Sequence, residues 1–200
     1  MTHPEARRWD EKYQRDQDLW LERKPRQLLT THAHLLPESG YGLDAASGVS
    51  INGQFLAEHG LRVLAVDISE IALRLAKQRA QKEGFSLEAV VLDLSNPWLP
   101  KDYFDVILNF FFLERATIPV YRQALVPGGL IFFETYFNLS EIEEKKIFYL
   151  NPGELFEYFQ DFQIIYNSEE IKPPGDTHPE RGLAQLLARK PKPKTVMSVT

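Results

Sequence analysis

A turn of small residues at 44–50, DAASGVS, is the stretch of the sequence best suited to hold a cofactor. Ala46, Ser47 and Gly48 have small side chains or none, so the backbone can approach a ligand closely and present free amide groups to it. The turn lies between a predicted strand end and a predicted helix start, where carboxylates and phosphates bind. These residues therefore predict a nucleotide-type cofactor site.

Three aspartates, Asp44, Asp67 and Asp93, are predicted to end three successive strands around this turn. Asp67 follows Gly48 by about 20 residues, the position from which an acid accepts hydrogen bonds from ribose hydroxyls. Asp93 could accept a hydrogen bond from an exocyclic adenine amine, with Leu94 beside the ring. One such aspartate can simply cap the next turn, but three in register favour a ligand.

The stretch GVSING at 48–53 nearly matches the dinucleotide fingerprint GxGxxG. Ser50 replaces the middle glycine, whose missing side chain lets a pyrophosphate lie against the backbone. S-adenosylmethionine carries adenine and ribose but no phosphate, so a serine at this position is less damaging to it. The residues favour S-adenosylmethionine and leave a nicotinamide dinucleotide as the weaker alternative.

The elements that must position these residues alternate between strand and helix. Strands are predicted near 41–46, 62–67, 88–93, 104–111 and 129–136. Several are continuously apolar, as strands buried on both faces are, and the alternation indicates a parallel sheet. The clearest helix begins after Ser69 and ends at Gly84, with apolar residues at helical spacing. The last two strand-like runs, 162–171 and 183–190, lack a helix between them and are predicted to be antiparallel.

Composition narrows the class of protein. A chain of 200 residues suffices for one domain with a sizeable core. It contains no cysteine, which fits a reducing compartment, and we expect a cytoplasmic location without a signal peptide. A net charge of -5 disfavours nucleic acid as partner, and no apolar run is long enough to span a membrane. A small molecule is therefore the expected partner.

With these elements in this order, the chain resembles the class I S-adenosylmethionine-dependent methyltransferases. The matching stretches are LDAASG (43–48), VLAVDIS (63–69), LDLSNPWLP (92–100), FDVILNF (104–110) and LVPGGLIFFETY (125–136). The stretches FLER, ETY and LNPGEL are similar to small bacterial methyltransferases related to the tellurite-resistance type. The resemblance implies an α/β fold, a Rossmann-like three-layer αβα sandwich with a mostly parallel seven-stranded sheet of order 3-2-1-4-5-7-6 whose last strand is antiparallel.

The resemblance also implies a role for each cofactor-binding residue. Asp44 and the backbone of Ala46, Ser47 and Gly48 would hold the methionine end, Asp67 the ribose, Asp93 and Leu94 the adenine, and Asn109 the surroundings of the amine and sulfonium; Ile68, next to Asp67, is also expected to bind the cofactor. In methyltransferases of this kind an N-terminal helix often covers the cofactor, so Tyr13 is predicted to touch the methionine. Ala46 and Ser50 depart from the glycine-rich pattern of the family.

We therefore expect a helical cap at 1–40, a methyltransferase domain at 41–190 and a flexible tail at 191–200. The expected activity is transfer of a methyl group from S-adenosylmethionine to a small-molecule acceptor, with S-adenosylhomocysteine as product. The alternatives are a non-catalytic S-adenosylmethionine-binding or regulatory module of the same fold and, less favoured, a nicotinamide-binding oxidoreductase.

The acceptor side is less defined by the sequence. Glu134, Tyr136 and His178 are candidates for a proton acceptor, although methyl transfer does not require one. The insert at 138–151 and the N-terminal helices are expected to cover the acceptor. His32 and His34 point apart on a helix, with no nearby acid to complete a site, so no metal is predicted.

Overall fold

The structure is a computed structural model that describes residues 3–139, 148–174 and 179–193. The strands are β1 (Gly40–Ala45), β2 (Leu61–Asp67), β3 (Leu87–Val91), β4 (Phe104–Phe110), β5 (Leu125–Phe137), β6 (Gln163–Lys172) and β7 (Arg181–Arg189). They form one sheet in the order β3-β2-β1-β4-β5-β7-β6. Strands β1 to β5 pair in parallel, and β7 is antiparallel to both of its neighbours. The predicted sheet order and the antiparallel last strand are confirmed.

Helices cover both faces of the sheet. They are α1 (Pro4–Arg15), α2 (Gln17–Leu21), α3 (Gln27–Thr31), α4 (Ile51–Glu58), α5 (Glu70–Glu83), α6 (Thr117–Ala124) and α7 (Glu154–Phe159), with a 3-10 turn at Ala33–Leu35. One apolar core lies beneath α6 and α7 and includes Tyr121 and Phe159. The other lies beneath α3 to α5 and includes Leu29 and Leu56. This double burial accounts for the continuously apolar strands.

Helix α5 has the predicted ends. The Ser69 hydroxyl accepts a hydrogen bond from the backbone N–H of Ala72, and Gly84 closes the helix with a left-handed φ of 77°. Both are ordinary helix-capping devices, which is why their residue types were readable in advance.

Two element boundaries differ from the predicted ones. β3 ends at Val91, so Asp93 lies two residues beyond the strand instead of ending it. β5 starts at Leu125 instead of near residue 129, and Pro127, Gly128 and Gly129 lie inside it, where its pairing with β4 is irregular. Gly128, with φ of 90°, allows the strand to bend there and continue.

Some predictions fall on residues 140–147, 175–178 and 194–200, which lie outside the described residues. They include most of the insert proposed as a lid, the candidate base His178 and most of the predicted tail. Among the described residues, no helix combines the length and the apolar character that crossing a bilayer would need.

Candidate functional site

The turn after β1 has an unusual backbone. Ala46, Gly48 and Ser50 all have left-handed φ values, of 50°, 54° and 52°. For a residue other than glycine this conformation costs about 1–2 kcal/mol, so other contacts must hold it. Ser50 is fully buried, and its hydroxyl donates to Asp44 Oδ2 at 2.8 Å. The strained backbone is therefore fixed against an acid of the neighbouring strand.

Asp44 lies beneath this turn and is 2% exposed. Its Oδ2 also accepts a hydrogen bond from the backbone N–H of Gly53 at 2.9 Å. Burial raises the pKa of Asp44 from 3.8 to about 7, and its hydrogen bonds with Ser50 and Gly53 partly oppose that rise. Ser50, seen in the sequence only as a departure from a glycine pattern, therefore positions a predicted site residue.

Asp67 ends β2 and connects the two adjacent turns. Its Oδ2 accepts from the backbone N–H of Gly48 at 2.7 Å, and its Oδ1 accepts from that of Ser69 at 2.9 Å. The side chain is largely buried, and this burial raises the pKa of Asp67 despite its backbone hydrogen bonds. The structure thus brings Asp44, Asp67 and Gly48 together at the carboxyl edge of β1 and β2.

Tyr13 of helix α1 covers the turn from above. A Cβ atom at Gly48 would overlap the Tyr13 hydroxyl, so only glycine permits this close approach. The Tyr13 ring is buried between Trp9 and Trp20, with centroid separations of 5.9 and 4.8 Å. Burial and the nearby charge of Asp67 raise the pKa of Tyr13. Tyr13 is therefore a neutral, apolar cover with one hydroxyl directed at the turn.

Asp10, one helical turn before Tyr13, attaches α1 to the start of α5. Its Oδ1 accepts from the Ser69 hydroxyl at 2.6 Å and from the backbone N–H of Ile71 at 3.2 Å. A carboxylate at a helix N-terminus is favoured by the unpaired N–H groups there. The sequence interpretation missed Asp10, although its i, i+3 spacing from Tyr13 places both on one helix face.

Gly48→Ala is expected to destabilise the protein more than Gly84→Ala. Both glycines have positive φ, at 54° and 77°, so each alanine carries a similar backbone strain of about 1 kcal/mol. A methyl group at position 48 also meets Tyr13, whereas position 84 has open space around it. Urea unfolding should therefore show an additional loss of about 1–2 kcal/mol for Gly48→Ala.

The control for this prediction repeats the two glycine substitutions in a protein that also carries Tyr13→Ala. With the tyrosine removed, the two glycine substitutions should lower the free energy of unfolding by nearly equal amounts. Equal losses in the wild-type background would contradict the packing of Tyr13 on the turn.

The other predicted site residues are placed differently. Asp93 is partly exposed and accepts from the backbone N–H of Ser95 at 2.8 Å, a hydrogen bond that lowers the pKa of Asp93. Leu94 is buried in the core beneath α6 and α7. Ile68 and Ala46 are half-buried beside the two turns. Their contacts with a cofactor stay predictions.

Asn109, near the end of β4, is fully buried. Its Nδ2 donates to the carbonyl oxygen of Phe112 at 2.7 Å, and its Oδ1 accepts from the Tyr121 hydroxyl at 3.2 Å. The side chain therefore fixes the loop after β4 from inside, and its predicted place near the sulfonium stays a prediction.

A second polar cluster lies where β5 reaches the same edge of the sheet. Glu134 is fully buried, forms an ion pair with Arg26, and accepts from Gln185 Nε2 at 2.6 Å. The backbone N–H of Arg26 donates to Asn52 Oδ1 at 2.8 Å, which ties the start of α3 to α4. Glu134, a predicted candidate for a proton acceptor, is thus engaged by two donors and positions Arg26.

Aromatic side chains flank this cluster. Phe111, which has a left-handed φ of 59° and is 38% exposed, has its ring 4.9 Å from that of Tyr136. Tyr136 in turn lies 5.3 Å from Tyr149, both measured between ring centroids. Phe132 and Phe133 of β5 are fully buried and belong to the core instead.

The histidine pair does not form a site within the described residues. His32 and His34 have ring centroids 6.4 Å apart, and His32 Nδ1 lies 2.9 Å from the Leu28 carbonyl oxygen. No group of three histidine or acidic side chains in the described part of the chain is arranged to hold a metal ion.

Residues 43–129 match the family model described as a methyltransferase domain. The ubiquinone biosynthesis O-methyltransferase of Idiomarina loihiensis is 30% identical over 100 residues, which cover 46% of this chain and 41% of that protein. The chain thus spans about two fifths of the length of the first curated relatives that it matches.

Solved structures share the fold over most of the chain. TehB from Haemophilus influenzae superposes with a TM-score of 0.71 at 20% identity, covering 80% of this chain and 60% of that one. Phosphoethanolamine N-methyltransferase 2 of Haemonchus contortus, solved in complex with S-adenosyl-L-methionine, gives a TM-score of 0.65 at 17% identity, covering 83% and 52%.

These likenesses and the sheet order confirm the predicted fold. The chain has the fold of the class I S-adenosylmethionine-dependent methyltransferases, and residues 43–129 match a methyltransferase domain. At the level of the fold, the likeness to TehB also confirms the predicted resemblance to methyltransferases of the tellurite-resistance type. S-adenosylmethionine is the cofactor of this class.

Proposed function

We propose that this protein transfers a methyl group from S-adenosylmethionine to a small-molecule acceptor. The observation that carries the proposal is the pair of buried carboxylates, Asp44 and Asp67, at one glycine turn beneath Tyr13. Buried carboxylates are costly unless they meet donors or positive charge. A ligand with an ammonium group and two ribose hydroxyls would supply both.

The residues at the turn fit this cofactor. Gly48 lets Tyr13 approach the turn closely and donates its backbone N–H to Asp67, and an acid at the end of the second strand suits vicinal hydroxyls. When bound, S-adenosylmethionine supplies a methyl group already activated on a sulfonium, so a dedicated base is not obligatory. The chain's own task is then to orient the acceptor and exclude water, for which Tyr13 and Trp20 form a suitable apolar cover.

A small acceptor in the cytoplasm is the finer part of the proposal. The net charge of -5 supports it over a nucleic-acid substrate, because a polyanion is bound largely through excess lysine and arginine. The absence of cysteine supports a reducing compartment. The sequence pattern also supports a division into a helical cap at 1–40, a methyltransferase domain at 41–190 and a tail at 191–200, and we propose this division.

The experiment that tests the cofactor is a thermal melt with S-adenosylhomocysteine, compared with NAD at equal concentration. A ligand at about 100 times its dissociation constant stabilises a protein by about 2.7 kcal/mol. We expect stabilisation by S-adenosylhomocysteine and none by NAD. Stabilisation by NAD alone, or by neither ligand at millimolar concentration, would overturn the proposal. A second experiment distinguishes an enzyme from a non-catalytic binding module. The protein is incubated with S-adenosylmethionine and a small-metabolite extract, and an enzyme should release S-adenosylhomocysteine.

The raised pKa of Asp44 predicts a pH dependence of stability in the ligand-free protein. Its pKa is about 7 in the folded state and 3.8 ordinarily, so the folded state holds the proton more tightly. The contribution of Asp44 to the free energy of unfolding is therefore complete below pH about 4 and lost as pH rises to about 7. Urea unfolding across this range should show the wild type losing stability relative to Asp44→Asn as pH rises from about 4 to about 7, because the amide stays neutral throughout. A constant difference would contradict the raised pKa.

A further inference from the structure

Three guanidinium groups from two separate parts of the chain, Arg23 and Arg26 before α3 and Arg181 at the start of β7, lie around the aromatic pair of Phe111 and Tyr136. The guanidinium carbon of Arg181 lies 4.9 Å from the centre of the Tyr136 ring, and that of Arg26 lies 4.6 Å from the centre of the Phe111 ring. The guanidinium carbon of Arg23 lies 3.7 Å from the centre of the Trp20 ring, and burial together with the nearby charge of Arg26 lowers the pKa of Arg23. Arg26 and Arg181 thus lie against the paired rings of Phe111 and Tyr136, and Arg23 lies near Arg26.

Positive charge at this place is incompletely balanced. Within the described residues, Glu134 is the carboxylate paired with this cluster, through Arg26, and neither Arg23 nor Arg181 forms an ion pair. Three guanidinium groups less one carboxylate leave an excess of two positive charges, on a chain whose net charge is -5. Arg26 Nε is buried, with no hydrogen-bond partner in the described part of the chain. Such a cluster attracts an anion.

The cluster lies beside the proposed cofactor site. Phe111 directly follows β4, Tyr136 lies near the end of β5, and both are at the carboxyl edge of the sheet, where ligands bind in this type of fold. Arg23 lies over the Trp20 ring, which is 4.8 Å from the ring of Tyr13 above the glycine turn. The arginines therefore border the space between the cover of the cofactor turn and the aromatic pair.

We propose that the methyl acceptor is a small organic anion whose carboxylate is bound by Arg23 and Arg181 and whose planar apolar body lies against Phe111 and Tyr136. Arginine suits a carboxylate because its planar fork donates two parallel hydrogen bonds. Glu134 and Gln185 act as positioning residues, because they hold Arg26 at the wall of this space. The claim that this anion is the methyl acceptor rests on the proposed function, whereas the binding of an anion can be measured separately.

Fluorine NMR titrations with para-fluorobenzoate and para-fluorobenzamide test this preference in the protein saturated with S-adenosylhomocysteine. The two probes share size and shape and differ in charge. We expect the benzoate to bind at least about tenfold more tightly, since a charge-assisted hydrogen bond contributes that much or more. Arg181→Gln and Arg23→Gln should each reduce the ratio at least about threefold, largely through the benzoate.

Arg62→Gln is the matched control. Arg62 also faces a tyrosine ring, that of Tyr41, at 6.0 Å, but lies at the opposite edge of the sheet. Its substitution should leave the ratio unchanged. Three results would each overturn the proposal. They are a wild-type ratio of benzoate to benzamide affinity near one, no binding of either probe up to about 20 mM, and equal ratios in wild type, Arg23→Gln and Arg181→Gln.

The two proposals fail in distinguishable ways. Saturation with S-adenosylhomocysteine is checked first by its thermal shift, and a protein that shows no shift contradicts the proposed function. The titration is then repeated without S-adenosylhomocysteine, where the preference for the anion depends only on the arginines. A normal thermal shift without a preference for the benzoate contradicts the acceptor class alone.

Discussion

Asp67→Ala is expected to weaken the binding of S-adenosylhomocysteine by about 100-fold. The side chain is proposed to accept hydrogen bonds from two ribose hydroxyls, and a hydrogen bond to a charged group contributes about 1.5–3 kcal/mol. Its removal also leaves the backbone N–H groups of Gly48 and Ser69 without the oxygen atoms that hold both turns in place. Isothermal titration calorimetry measures the change directly.

Asp105→Ala is the control for this effect. Asp105 also accepts a backbone hydrogen bond, from the N–H of Tyr41 at 2.8 Å, but lies at the amino end of β4. Its loss should change the affinity by no more than about twofold. Wild-type affinity in Asp67→Ala, or an equal loss in Asp105→Ala, would contradict the assignment of Asp67 to the ribose.

Glu134→Gln is expected to lower the free energy of unfolding by about 3 kcal/mol. The carboxylate is fully buried between Arg26 and Gln185, so the neutral amide leaves a guanidinium without its counter-charge and places an amide donor among donors. Breaking such an ion pair from its buried side costs about that much, here chiefly because the new amide donor would be buried against Gln185, since the Arg26 side chain itself is 40% exposed. Urea unfolding at pH 7 measures the change.

Glu170→Gln makes the same substitution in an exposed ion pair, that of Glu170 with Lys172 on β6. Exposed pairs contribute little, so we expect a change below about 0.5 kcal/mol. Losses of similar size in the two variants would show that the cluster around Glu134 is not buried in solution.

The parts of the fold predicted from sequence are those encoded by local pattern. Continuous apolar runs marked the buried strands, and Ser69 and Gly84 marked the ends of α5 through their capping chemistry. Asp44 and Asp67 were readable because parallel strands bring their carboxyl ends to one edge of a sheet. The sheet order followed from the resemblance, since local patterns do not specify which strands are neighbours.

The end of β3 was mispredicted because its apolar run is not evidence of burial. Val90 and Val91 are about half exposed on this edge strand, so the pattern extended the strand as far as Asp93 although the pairing with β2 stops at Val91. An edge strand has only one partner, and its length is set by that partner.

Contacts between distant parts of the chain could not be predicted. Arg26 and Glu134 are 108 residues apart in the sequence, and Glu134 and Gln185 are 51 apart, so only the folded sheet brings them together. The hydrogen bond from Ser50 to Asp44 depends on a left-handed backbone that a serine rarely adopts. Such features arise from tertiary structure that overrides local preference.

A crystal structure of the protein with S-adenosylhomocysteine tests the central claim most directly. We predict that both ribose hydroxyls lie within hydrogen-bonding distance of Asp67, that the methionine end lies against Gly48, and that Tyr13 covers it. A ligand bound elsewhere on the protein, or bound at this edge with its ribose away from Asp67, would contradict the proposed cofactor site.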